Sequence, residues 1–132
     1  MKISAKCTKR IVASAGAIVT MSTAALLATA SPASAAGPGQ LEVCSYGNYA
    51  SYVKFPWRGG RTTTIVDRGA CRTFYNFGTS STIEPIEVRG IYNTSTNTFW
   101  VQNGSFRPSK GGVVATYGTT AAGNHWALTP AV

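Results

Sequence analysis

A single histidine, His125, and four carboxylates, Glu42, Asp67, Glu84 and Glu87, make up the acid–base inventory of this 132-residue chain. A Ser-His-Asp arrangement would have to bring His125 to one of many serines and to Asp67, and no nucleophile-elbow motif presents a serine for attack. Glu84 and Glu87 are the closest carboxylate pair and would suggest glycoside hydrolysis. Residues three apart on a strand point to opposite faces, so these two do not converge on one bond and read as solvated charges. One histidine, scattered acids and cysteines better explained by a disulfide supply no zinc or calcium site. The expectation is a protein with no catalytic residues, no metal and no cofactor.

What the chain does concentrate is positive charge. Lys54, Arg58, Arg61, Arg68 and Arg72 fall between residues 54 and 72 against Asp67 alone, while Arg89, Arg107 and Lys110 balance Glu42, Glu84 and Glu87 elsewhere. Trp57 sits among them, between Pro56 and Arg58. Tryptophan and arginine are the side chains most enriched at binding hot spots, and a constrained loop lowers the cost of ordering them. The candidate binding set is therefore Lys54, Trp57, Arg58, Arg61, Arg68 and Arg72. The opposing reading folds Trp57 back as a lid on the core and leaves the arginines merely solvated. An anionic cell-wall polymer or an acidic extracellular protein would satisfy the charges. Nucleic acid fits less well, because an exported protein meets little of it and the cations are few for salt-sensitive binding. Tyr46, Tyr49, Tyr52, Trp57, Trp100 and Trp126 could also offer stacking faces to carbohydrate, although so small a domain needs most of its rings for its core.

Export is read from the first 35 residues. Lys2, Lys6, Lys9 and Arg10 form a basic start, an apolar and small-residue run covers Ile11 to Leu27, and Ala33-Ser34-Ala35 places small residues at the cleavage position. That order is a secretory signal, with cleavage expected before Ala36 or one residue later. The run is too interrupted by Ser14, Gly16, Thr20, Ser22 and Thr23 to serve as a membrane span. No Arg-Arg pair marks the twin-arginine route. Removal takes four of the twelve basic residues and none of the four acids, so the net charge falls from +8 to +4. It also removes Cys7, leaving Cys44 and Cys71 as an expected disulfide in an oxidising compartment. The mature protein is expected to be secreted, with no transmembrane anchor.

The organisation that must position these residues is a flexible lead-in over 36–40 and one β domain over 41–132. All fourteen aromatic residues and thirteen of the fourteen glycines lie in this mature part, a composition suited to strands and tight turns. Alternating or β-rich runs at 41–44, 49–55, 61–66, 71–77, 83–92, 99–101, 113–117 and 125–128 are separated by turn residues. Pro85 must lie at a strand start or an edge. Asn103-Gly104 reads as a strong turn. Asn93-Thr94-Ser95 and Asn103-Gly104-Ser105 match the glycosylation pattern, but the leader is bacterial in style and both are read as turns. Seven or eight short strands at this spacing indicate an all-β fold, a small antiparallel sandwich or barrel with one disulfide.

Cys44-Ser45-Tyr46-Gly47-Asn48-Tyr49, Phe55-Pro56 with Arg58-Gly59-Gly60, Gly69 with Cys71, and Tyr92-Asn93-Thr94-Ser95 resemble segments of a group of uncharacterised small secreted proteins of Streptomyces-type actinomycetes. That resemblance covers most of residues 41–120 and implies export but no particular activity. Trp57-Arg58 on a hairpin tip is also similar to the Trp-Arg loop of the small actinomycete α-amylase inhibitors, although Gly59 replaces an aromatic residue and a second disulfide is missing. It implies an alternative function, inhibition of a secreted hydrolase (amylase or protease) through the loop at 56–61. Intact-mass measurement of the exported protein should give a chain beginning at Ala36 or Gly37 and two hydrogens lighter than its reduced form.

Overall fold

The computed structural model describes residues 36–132; the expected leader lies outside the described residues. Eight strands follow in order: β1 (Leu41–Ser45), β2 (Ala50–Phe55), β3 (Arg61–Thr62), β4 (Cys71–Phe74), β5 (Glu84–Ile91), β6 (Thr98–Phe106), β7 (Gly112–Gly118) and β8 (His125–Leu128). They form two four-stranded sheets, β4-β1-β7-β8 and β3-β2-β5-β6, so the fold is a sandwich and not a closed barrel. All neighbours are antiparallel except β1 and β7, which run parallel with Val43 beside Val114. An antiparallel sandwich was the expectation; this one parallel pair departs from it. It places an early strand next to a late one, a pairing that no short hairpin could produce.

The alternation of residue types explains which face each strand buries. On β2, Ser51, Val53 and Phe55 point inward while Ala50, Tyr52 and Lys54 are only half-buried. Leu41, Val43, Val53, Ile86, Val88, Val101 and Val114 fill the middle of the core. Aromatic rings close both ends. Phe55, Phe77 and Phe106 meet at one end with centroids 5.0 to 6.1 Å apart. Tyr49, Tyr92, Phe99 and His125 pack together at the other. Phe99 occupies the space opposite Gly90, where a Cβ would lie 2.3 Å from the ring. His125 thus packs edge-on to Tyr49 and tilted against Phe99, with centroids 6.4 and 4.7 Å away.

Three buried hydroxyls join the sheets. Ser45 of β1 bonds to Ser51 of β2, and Ser45 also donates to the Val66 carbonyl at 3.0 Å. Thr116 of β7 donates to Ser51 at 3.3 Å. All three side chains are fully buried, so each bond satisfies a group that would otherwise be costly to desolvate. The Cys44–Cys71 disulfide forms as expected, across the antiparallel β1–β4 pair. Loop-closure entropy over its separation of 27 residues corresponds to roughly 3–4 kcal/mol.

Several boundaries differ from the sequence reading for identifiable reasons. The Thr-rich strand expected over 61–66 is regular only at Arg61–Thr62, because the Thr63 hydroxyl accepts the Val53 N–H in place of a ladder carbonyl. Pairing resumes as an isolated bridge between Ser51 and Val66. Asn103-Gly104 is no turn: both residues lie within β6, opposite Glu87 and Ile86. Gly104 is needed there because a Cβ would lie 2.5 Å from Thr129 of the C-terminal segment. Residues 36–40, expected as a flexible lead-in, are tied down. Gly39 donates to the Pro108 carbonyl at 2.7 Å, and Phe77 donates to the Gly39 carbonyl at 3.2 Å. Pro85 is the second residue of β5, paired only with Ser105 of β6, as its missing N–H requires.

Tyr49 is fully buried and donates its hydroxyl to the Tyr117 carbonyl at 2.9 Å. Burial pushes its phenol above the ordinary value of 10.0. A folded-state pKa above the unfolded one gives stability that is complete below pH 10 and lost as pH rises through the folded value. Tyr49→Phe should cost about 1 kcal/mol at neutral pH through the lost hydrogen bond. In urea titrations the gap between wild type and variant should shrink as pH rises above about 10.

Candidate binding site

The end of β2 determines where the basic residues go. Pro56 fixes the first position of a short 3-10 turn, Pro56–Arg58, and the backbone then takes left-handed φ values of 67° at Gly59 and 73° at Gly60. Two successive residues in that region require the Gly-Gly pair. Gly60 donates to the Phe55 carbonyl at 3.2 Å, and the chain returns alongside β2. Trp57 is left at the outermost point of this turn, 68% exposed. It does not cover the core.

Arg58 points the other way. Its Nε and Nη2 donate to the two Glu84 carboxylate oxygens at 2.7 and 2.8 Å, and Nη2 also donates to the Phe77 carbonyl at 2.9 Å. The guanidinium carbon lies 5.5 Å from the centre of the Phe77 ring. This bidentate bond raises the already high pKa of Arg58, so it is a permanent cation matched to a permanent partner. Glu87 accepts from Arg89 at 3.2 Å and lies 3.8 Å from the Lys54 ammonium. The carboxylates expected to be solvated charges are thus ion-paired, and to different cations.

The remaining members of the basic set divide by position. Arg61 is exposed on β3 with no carboxylate in ion-pair range among the described residues. Arg72, exposed on β4, donates to the Thr64 hydroxyl at 3.0 Å and so bridges the facing edges of the two sheets. Between these edges is a cleft of about 340 Å³ whose walls include Phe55, Arg58, Arg61, Thr64, Tyr75 and Asn76. Tyr75 is exposed at its mouth. Arg68 lies elsewhere, in the turn where Gly69 donates to the Ser45 carbonyl. That turn is at the opposite end of β2, roughly 16 Å away at strand rise. Lys54 is on β2 of the same sheet as Arg61, paired with Thr62 and Glu87, and lies outside the cleft lining. Of the basic set, Arg58 and Arg61 stand in the walls of this cleft and Arg72 is bonded to Thr64 in its wall, with Trp57 exposed on the adjoining turn and Lys54 and Arg68 outside the lining.

No protein-family model, curated protein or solved structure matches this chain. Chemistry must then be read from the groups themselves. Glu42, Cys44 and Cys71 come within 4.8 Å of one another, but both sulfurs are committed to the disulfide and cannot serve as thiolate ligands. A second concavity, about 500 Å³, lies on the outer face of the β4-β1-β7-β8 sheet. Val113, Ala115, Tyr117 and Leu128 line it, and Tyr117 stacks on Trp126 at 4.3 Å. Sequence reading missed this face. Its signal was available: Val113, Ala115 and Tyr117 are the outward residues of β7, and none is charged.

Removing the Arg58–Glu84 bond tests its role in holding the turn. Glu84→Gln should lower stability by about 1–3 kcal/mol, read as a urea midpoint, since a partly buried guanidinium loses its charge-assisted acceptor. Amide exchange over Trp57–Gly60 should speed up more than exchange in β7.

Proposed function

We propose that this domain is a non-enzymatic secreted binding module that attaches to an anionic cell-wall polymer through the side of the sandwich bearing β3 and β4. One observation carries the reading. Glu84 and Glu87 engage Arg58, Lys54 and Arg89, and among the described residues Arg61 and Arg72, on facing strand edges, have no carboxylate in ion-pair range. Two guanidiniums beside a cleft, with Trp57 and Tyr75 exposed next to it, suit a chain of phosphate or carboxylate groups. Arginine forks bind such groups bidentately, and the rings contribute contact area at low entropic cost. In this arrangement Arg58 is a brace that fixes the turn from behind.

The inhibitor alternative draws on the same turn but loses a group. Arg58 cannot enter an enzyme cleft while its guanidinium holds Glu84 and the Phe77 carbonyl, so Trp57 would have to act alone.

Binding of the exported protein to purified cell wall should weaken as salt rises, because exposed charges are screened. Replacing Arg61 and Arg72 together by Ala should reduce affinity at least ~10-fold, or ~1.4 kcal/mol, with an unchanged circular-dichroism spectrum. Arg68→Ala should have a smaller effect. Unaltered binding by the double variant would exclude this side as the site. Inhibition of any member of a panel of amylases and proteases would favour the alternative.

A further inference from the structure

The outer face of the β4-β1-β7-β8 sheet carries the groove of about 500 Å³, which shares no lining residue with the cationic cleft. β7 forms its floor. Val113, Ala115 and Tyr117 alternate outward along this strand, and none of its residues is charged. Leu128, cross-strand from Ala115, begins one wall. Thr129 and Pro130 continue it, with the Pro130 ring packed against Gly112. The face is open among the described residues, where Tyr46 is 52% and Leu128 55% exposed. Single exposed apolar side chains are ordinary, but a connected apolar concavity marks a binding site.

The two ends of the groove differ in chemistry. Tyr46 and Tyr117 close one end, with ring centroids 5.6 Å apart. The other end is bounded by Lys110, the only charged residue in the lining. Lys110 has no carboxylate in ion-pair range among the described residues. Its turn is held in place, since its own N–H bonds the Arg107 carbonyl at 3.0 Å and the Ser109 N–H bonds the Ser80 carbonyl at 2.8 Å. Glu42 is the one acid in the strands of this sheet; its carboxylate lies within 4.8 Å of both disulfide sulfurs and outside the groove's lining. From Val113 to Tyr117 the floor runs roughly 13 Å at strand rise. An extended alkyl chain of about ten carbons spans that length at ordinary carbon–carbon distances.

We propose that this groove binds a single fatty carboxylate, its chain laid along β7 toward Tyr46 and Tyr117 and its head group paired with Lys110. An alkyl chain gains by contact with apolar surface along its whole length, because that contact releases water from both. Its head group needs one cation, placed at an end and not in the middle. The lining supplies both in that order. A sugar chain would need hydrogen-bonding side chains along the floor, where Val113, Ala115 and Leu128 offer none. An alkyl cation would meet like charge at Lys110. The site goes beyond the proposed cell-wall function and is independent of it, since neither Arg61 nor Arg72 takes part.

Calorimetric titration of the exported, disulfide-intact protein with hexanoate, octanoate, decanoate and dodecanoate, each below its micelle concentration, tests the site. Affinity should rise about 2–4-fold per methylene as far as decanoate, then level off once the groove is filled. Lys110→Gln should weaken decanoate binding about 3-fold or more and leave decanol binding unchanged. Leu128→Glu should weaken decanoate binding at least ~10-fold with an unchanged circular-dichroism spectrum, because it puts an acid in the apolar wall. The Arg61→Ala, Arg72→Ala double variant should bind decanoate as wild type does, so loss of cell-wall binding and loss of this site are read apart. No binding of any carboxylate overturns the proposal, as does affinity independent of chain length or tighter binding of dodecyltrimethylammonium than of dodecanoate. Binding to anionic phospholipid vesicles without binding of the soluble carboxylates also overturns it, by making the face a membrane contact. A dimer that Leu128→Glu dissociates would overturn it as well, by placing a second copy over the groove.

Discussion

The position of β1 between β4 and β7 is the constraint on which the rest of this structure depends. β1 supplies Leu41 and Val43 to the core from the middle of its sheet, pairs antiparallel with β4 on one side and parallel with β7 on the other. Cys44 fixes the first pairing covalently. The second brings residue 114 beside residue 43, a contact of long sequence separation and hence large closure entropy. Ser45, at the end of the same strand, reaches across to Ser51 and to the Val66 carbonyl, so β1 also sets how one sheet lies on the other. A domain of fewer than a hundred residues has little core to spare, and one strand with three kinds of attachment compensates.

Charge is distributed by the same economy. The domain has few acids, and two of them are placed on β5, where Glu84 neutralises Arg58 from beneath the 3-10 turn and Glu87 serves Arg89 and Lys54 on the sheet face. Among the described residues Arg61, Arg68, Arg72, Arg107 and Lys110 have no carboxylate in ion-pair range, and of these Arg61 and Arg72 lie on the margin formed by β3 and β4. Arg61 and Arg72 come from strands in different sheets, and only the meeting of β3 and β4 at one side of the sandwich makes them neighbours.

Sequence alone carried the class of fold a long way. Period-two alternation in Tyr49–Phe55 and the Pro85 placement rest on local sterics, and both survive in the structure. The disulfide follows from compartment and count. What local signals could not carry were contacts between distant segments. Asn103-Gly104 has the residues of a hairpin turn, but its glycine answers to Thr129, twenty-five positions later in the chain. Thr63 has a strand former's side chain, yet its hydroxyl replaced the backbone bond it was expected to flank. In the binding set, the grouping of five cations by sequence proximity treated Arg58 and Arg61 alike. The difference between them is the acid on β5 that one meets and the other does not. Such a pairing requires knowing that β5 lies beside β2.

Residues near both ends of the described chain converge on one region. Ala36 and Ala131 line the same groove, and Gly111 lies so close to the Ala36 and Gly37 carbonyls that no side chain would fit between them. By strand register this is also the end of the sandwich that carries Phe55, Phe77 and the Trp57 turn. Anything fused beside Ala36 or Ala131, whether an affinity tag, a fluorophore or an enzyme, would start at the end bearing the cationic cleft. The turn at Ala121–Asn124 is at the opposite end, beside Gly118 and His125, and has the exposed, small side chains of a permissive insertion point. For immobilising this domain with its cleft facing outward, that turn is the better handle.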